Sequence, residues 1–156
     1  INAMQDDIDQ IGQRLHAMIQ EDRQMQAIQQ IPGVGDLTAS ALVSAVGDFS
    51  SFKSARQFAS WVGLTPRQVG TGGKTQQLGL SKRGDTYLRT LLIAGARAVV
   101  SKAQKSSWIT RLLERRHFNV AVVALANKMA RTAWAILAKG AAFDQVRWNP
   151  VEQVSA

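Results

Sequence analysis

The chain has 156 residues, enough for one compact domain with a modest core, and a formal net charge of +8 from 19 basic and 11 acidic side chains. It has no cysteine, which excludes disulfides and thiolate metal sites. The pI of about 10.6 favours a polyanion as partner over a merely soluble basic protein. The charge is uneven. Asp6, Asp7, Asp9, Glu21, Asp22, Asp36 and Asp48 face only Arg14 and Arg23 in the first third, and basic residues dominate from Lys53 onward.

The N-terminus is polar and acidic, without a signal peptide. Ile1-Asn2-Ala3, ahead of Met4, reads as vector-derived, so a domain upstream is expected to be missing. Residues 5–30 read as one long helix within a coiled-coil-like segment, 4–30. Ile8, Ile11, Leu15, Met18 and Met25 recur at steps of three and four, with Asp22 breaking the seam. Such a seam suits a partner helix, as an intermolecular coiled coil or an intramolecular strut. Dimerisation is the favoured expectation.

Ile31-Pro32-Gly33-Val34-Gly35 then separates two helical patterns. Gly33 and Gly35 permit a very tight hairpin. The next helix starts with unpaired N–H groups and a positive dipole end, which prefer an anion. A hydrophobic-Pro-Gly-hydrophobic-Gly turn is the mark of the helix-hairpin-helix, a module that holds a DNA phosphate without reading a base. A plain interhelical turn is the alternative. Gly33, Val34, Gly35 and Thr38 are the candidate contacts here.

A helix is predicted over Asp36 to Val46, and another over Ser54 to Val62 with Ser54 as N-cap and Phe58 and Trp61 on its buried face. Residues 63–80 hold Gly63, Pro66, Gly70, Gly72, Gly73 and Gly79 and few apolar side chains, a long loop or loose hairpin. A helix to about Ala103 follows, with Tyr87, Leu88, Leu91, Leu92, Ala96 and Val99 on its core face. Ser81 or Asp85 can cap it. Another spans about Ser107 to His117. The last starts at Asn119 as N-cap and stops at Gly140, leaving 141–156 as an irregular tail. The longest apolar stretch, Asn119 to Ala138, is interrupted by Asn127, Lys128 and Arg131, a core helix rather than a membrane span. The fold class is all-α, with a helix-hairpin-helix-containing domain over 31–140 and a glycine-rich basic loop.

Gly70-Thr71-Gly72-Gly73-Lys74-Thr75 has the look of a phosphate-binding P-loop, but Gln68 stands where that pattern needs glycine, and no buried strand precedes it. The basic cluster is more informative. Arg67, Lys74, Lys82, Arg83 and Arg89 lie in and just after this segment, where glycines let backbone N–H groups approach a strand. With Gly72, Gly73 and Ser81 they form the second set of candidate DNA contacts. The carboxylates of the basic part, Asp85, Glu114, Asp144 and Glu152, are scattered, so no metal site is expected in this chain.

Three ordered stretches resemble a known family. They are Ile31-Pro32-Gly33-Val34-Gly35 with Leu37-Thr38-Ala39, then Gly63-Leu64-Thr65-Pro66-Arg67-Gln68 leading to Gly72-Gly73-Lys74, then Ser81-Lys82-Arg83-Gly84-Asp85-Thr86-Tyr87-Leu88-Arg89. Ala124 to Arg131 fits as well. The set, from about residue 5 to 145, is similar to the C-terminal transposase domain of the IS-one-ten family of bacterial insertion-sequence transposases. The resemblance implies a DNA recombinase, cytoplasmic and nucleoid-associated, with no membrane partner. It implies an upstream RuvC-like domain whose four acidic residues bind Mg2+, and an element-encoded structured RNA that directs recombination. It also implies a nucleophilic serine that attacks a DNA phosphodiester. The family's serine position falls at Gly70 or Thr71 here. Glycine has no nucleophile, so either Thr71 attacks or this copy is impaired.

Overall fold

The computed structural model describes residues 2–71, 74–80, 85–102 and 106–148, and of 66–80 the backbone and its pairing. Helix α1 covers Asn2–Glu21 and α2 covers Arg23–Gln29. The single helix predicted over 5–30 is thus broken, and the break falls at Asp22. Its carboxylate accepts from the N–H groups of Gln24 at 2.9 Å and Met25 at 3.1 Å. Aspartate satisfies a fresh set of amide donors better than it continues a helix. The chain therefore restarts with a new cap and a new direction.

Helices α3 (Asp36–Ala45) and α4 (Ala55–Val62) flank a 3-10 turn at Phe49–Ser51. Ser54 caps α4, its Oγ accepting from Gln57 N–H at 3.1 Å. Gly63, at φ +86°, ends the helix, and Leu64 N–H returns to Ala59 O at 2.9 Å. Phe49, Phe52, Phe58 and Trp61 pack ring on ring, with neighbouring centroids 5.2 to 6.1 Å apart. Phe58 is fully buried, and burial of a side chain this size stabilises by roughly 1.5–3 kcal/mol. Trp61, predicted inside, sits at the rim of this cluster, 37 % exposed.

Strands β1 (Pro66–Thr71) and β2 (Lys74–Leu80) form an antiparallel hairpin. This is the hairpin alternative for the glycine-rich segment. No helix starts at Lys74, which removes the P-loop arrangement as well. Helix α5 (Thr86–Val100) is capped by Asp85, whose Oδ1 accepts from Leu88 N–H at 2.9 Å. Leu88, Leu92, Ala96 and Val100 are its buried face, while Tyr87, predicted in the core, is exposed. It stands about 160° around the helix from the centre of that buried face.

Helix α6 (Ser107–Arg115) is capped by Ser106, and α7 covers Phe118–Lys139. Asn119 is not the cap of α7. His117 takes that position, its Nδ1 accepting from Asn119 N–H at 3.2 Å. Gly140, at φ +65°, ends the helix. The predicted irregular tail contains one further turn, α8 (Gln145–Trp148), with Trp148 buried against Phe143. Residues 149–156 lie outside the described residues.

The core is helical, and the all-α class holds. Helix α7 is its axis: α2, α4, α5, α6 and the 3-10 turn all pack on it. By length and composition α7 could cross a membrane, yet Val122, Leu125, Ala126, Met129, Ala130 and Ala133 are the middle of this core. Trp134 Nε1 donates to Phe49 O at 3.1 Å and ties the aromatic cluster to it.

Candidate nucleic-acid interface

The 31–35 turn closes tightly, with Val34 N–H on Ile31 O at 3.1 Å. Gly33 takes φ +92°, a conformation that suits glycine. Gly35 does not need that freedom: it is extended, at φ −92°, and is the N-cap of α3. It offers no side-chain cap, so the first N–H groups of α3 keep their demand for an acceptor.

The four candidates of this turn divide by burial. Gly33 faces inward against Gly95 of α5 and Met129 of α7. Val34 and Thr38 are buried side chains, so what they offer a nucleic acid is backbone. Gly35 stands open to solvent, with nothing within 4 Å of where a Cβ would be. The sequence reading missed a carboxylate in this corner. Asp36, first residue of α3, accepts from Gln29 Nε2 and lies 3.2 Å from His16 Nδ1. Its charge already meets part of the helix dipole, and a phosphate arriving at Gly35 has to share that field. An aspartate right after Gly35 was the available signal.

The second set lies on the hairpin. Thr71 pairs with Lys74, Gly70 with Thr75, Val69 with Gln76 and Gln68 with Gln77. Register shifts between Pro66 and Gln68, at Arg67. Thr71 and Lys74 are therefore the last paired residues before the turn. Gly72, Gly73, Ser81, Lys82 and Arg83 lie outside the described residues. Arg89 sits on the first turn of α5 and is half-buried.

The foot of the hairpin before β1 is fixed to the α7 core: Asn127 Nδ2 donates to Leu64 O at 3.1 Å. Helix α5 packs along the same α7. The 31–35 turn touches the same α5 at Gly95, about 14 Å along the helix from Thr86. The 31–35 turn and Arg89 of the second set thus meet on one helix.

Beside Asn127, a cleft of about 800 Å³ opens between α4, α7 and α8. Lys128 lies in it, 4.6 Å from the ring centroids of both Trp108 and Trp148, and donates to Trp148 O at 2.6 Å. Burial pushes its ammonium below the ordinary lysine value of 10.5. The folded chain then holds this proton less tightly than the unfolded chain. Stability gains with rising pH across the window between that lowered value and 10.5. Lys128→Met should remove this alkaline gain, which urea midpoints of the two proteins across the alkaline range will measure. Lys128→Ala should also free Trp148, costing roughly 1–2 kcal/mol.

A model of the family described as "Transposase IS116/IS110/IS902 family" matches residues 25–112, from α2 into α6. The chain is 46% identical over 137 residues to a Pseudomonas aeruginosa protein named "Probable family 20 transposase", covering 85% of this chain and 40% of that one. It is 46% identical over 132 residues to the "Transposase for insertion sequence element IS1111A" of Coxiella burnetii, covering 81% and 36%. It is 28% identical over 143 residues to the "Pilin gene-inverting protein" of Moraxella bovis, covering 87% and 44%. The chain spans about two fifths of the length of these curated relatives. It belongs to the IS116/IS110/IS902 family of transposases.

Proposed function

We propose that this chain is the DNA-binding and strand-exchange part of an insertion-sequence transposase, with Thr71 as its hydroxyl nucleophile. The pairing of Thr71 with Lys74 across the hairpin tip carries this reading. In support of it, the backbone of the one hydroxyl-bearing residue at the family's serine position pairs with that of a lysine, on a hairpin preceded by Leu64, whose carbonyl Asn127 of α7 holds. The Thr71 oxygen attacks a DNA phosphorus, an O–P bond forms and one bridging P–O bond breaks, releasing a strand end. A hydroxyl of a second strand then reverses the exchange. The bond energy stays in the phosphothreonine link, so ligation needs no nucleotide. Lys74 offsets the extra charge on the phosphorus centre.

A hydroxyl needs activation. Among the described residues no three His, Cys, Asp or Glu side chains gather to hold a metal ion. The reading assigns Mg2+ to a RuvC-like domain in the remaining length of such a protein. An element-encoded RNA as guide, a second copy joined through the N-terminal helix, and a cytoplasmic location at the nucleoid belong to the same proposal. The Moraxella relative's name, a gene-inverting protein, supports recombination as the shared chemistry.

A second reading is a non-catalytic helix-hairpin-helix module that grips phosphates at Gly35, favoured by the open, uncapped start of α3. Both readings expect affinity for duplex DNA to fall steeply with salt. Lys82→Ala with Arg83→Ala should weaken binding equally for all sequences and reduce the salt slope by roughly 1.8, about 0.9 per lost phosphate contact. Fluorescence anisotropy over a salt series checks this. A salt-independent affinity would remove the DNA reading altogether.

A further inference from the structure

None of the residues lining the cleft beside Asn127 belongs to either set of candidate DNA contacts. One wall is a stripe of α7. Val120, Ala124, Asn127 and Arg131 recur at steps of four, three and four, so they share a face. Val120 is 49 % exposed and Ala124 is half-buried, so this wall is open to solvent. Trp108 of α6, also half-buried, brings an indole ring to the same cleft. The cleft carries three cations, Lys128, Arg131 and Arg147, against one carboxylate, Asp144. Asp144 is engaged as the cap of α8, accepting from Arg147 N–H at 3.1 Å. Lys128 is engaged too, on Trp148 O and the two indole rings, and acts as a wedge between them. Arg131 and Arg147 are exposed at the opening.

We infer that this cleft receives one unpaired nucleotide of a DNA strand, its base against Trp108 and the apolar stripe and its phosphate on Arg131 and Arg147. This rests on the DNA-binding reading above and adds a second site to it. An apolar ligand would leave the two guanidinium groups with nothing to neutralise. A bare phosphate would leave the indole and Val120 unused. A nucleotide uses both, since every base has a π-face for an aromatic ring and every linkage a charge for arginine. A cleft of about 800 Å³ lies within the range of sites that take molecules of this size. The position favours a strand already engaged at the hairpin. Leu64 lines the cleft and stands seven residues before Thr71, and an extended segment of that length spans at most about 25 Å. A short run of unpaired nucleotides bridges such a distance. Bases at a reacting linkage are the ones that leave the stack, and a pocket that accepts one offsets the cost of unstacking.

The probe is a fluorescein-labelled short oligothymidylate, compared by anisotropy titration with an abasic oligomer of equal length and charge. The parent chain should bind the oligothymidylate at least roughly fivefold more tightly, the low end of what stacking one base on an aromatic side chain contributes. Trp108→Ala should erase this preference. Trp108 also packs on Lys128, so a second variant is needed that removes no contact. Ala124→Leu narrows the cleft from its open wall and should erase the preference at an unchanged melting temperature. Arg131→Gln with Arg147→Gln should weaken both oligomers alike. Equal affinity of the parent for the two oligomers, or a preference that survives Ala124→Leu, would overturn the inference. Tighter binding of an oligouridylate than of the oligothymidylate would overturn the assignment to DNA. Self-association that Ala124→Leu abolishes in sedimentation equilibrium would give the cleft to a second copy instead. Ala124→Leu should leave duplex affinity and its salt slope as they are, so failure here and failure of the DNA-binding reading are separate results.

Discussion

Gly95→Ala should lower the melting temperature by roughly 2–8 °C, against the usual direction for such a change. Within a helix, alanine is favoured over glycine by about 1 kcal/mol. Here a Cβ on Gly95 would stand 2.1 Å from the carbonyl oxygen of Gly33 and 3.3 Å from Met129 Cε. The obstacle is backbone, not the end of a flexible side chain, so α5 and the 31–35 turn have to separate. Overpacking of this kind costs about 1–3 kcal/mol and sometimes more, enough to reverse the propensity gain. Gly33→Ala should do similar harm, since its φ of +92° is added to a contact of 2.9 Å with Met129 Cε. Gly12→Ala, with nothing within 4 Å, should be neutral or slightly stabilising. Differential scanning calorimetry of the three variants decides the matter. A Gly95→Ala protein as stable as the parent would mean that the turn does not dock on α5 as described.

Thr71→Ala in a full-length protein should reduce strand exchange at least about a thousandfold while DNA affinity stays within about twofold. Thr71→Ser should retain activity, because it keeps the hydroxyl and removes only a methyl group. The measurement is a strand-transfer assay on element-end DNA, with anisotropy on the same proteins. Capture of a protein–DNA adduct, present with threonine or serine and absent with alanine, separates a nucleophile from a residue that merely shapes the hairpin. Undiminished exchange by Thr71→Ala would rule this residue out and favour the non-catalytic reading. The foot of the hairpin before β1 is held independently of Thr71, through Leu64 on Asn127, so the substitution should not disturb the core.

The two predictions sit at different depths in the sequence. Gly33 announces itself in a Pro-Gly-Val-Gly turn, but its partner Gly95 lies inside an ordinary helical run. Nothing local marks Gly95 as a contact point, because the contact joins residues 62 positions apart in the chain. The same holds for Asn127 on Leu64 and for Lys128 between Trp108 and Trp148. The stretch around Asn127 and Lys128 is visible as a motif, but its task is visible only when α7 is seen against the foot of the hairpin.

What the chain alone determined is local. Ser54 could be identified as a cap, Asp85 as one of two candidates, Gly140 as a stop and the 31–35 segment as a tight turn, because hydrogen bonds to near neighbours decide such features. The helical class followed from apolar spacing, and the preference for a polyanion from charge that no fold can remove. Tertiary structure decided which surfaces remain. It turned Gly33 inward and left Gly35 open, moved Trp61 and Tyr87 outward, and packed Trp148 of the supposed tail. The physical reason is the same each time. A residue's neighbours along the chain set its backbone conformation, but only the helices that arrive beside it from elsewhere settle whether its side chain meets water or another residue.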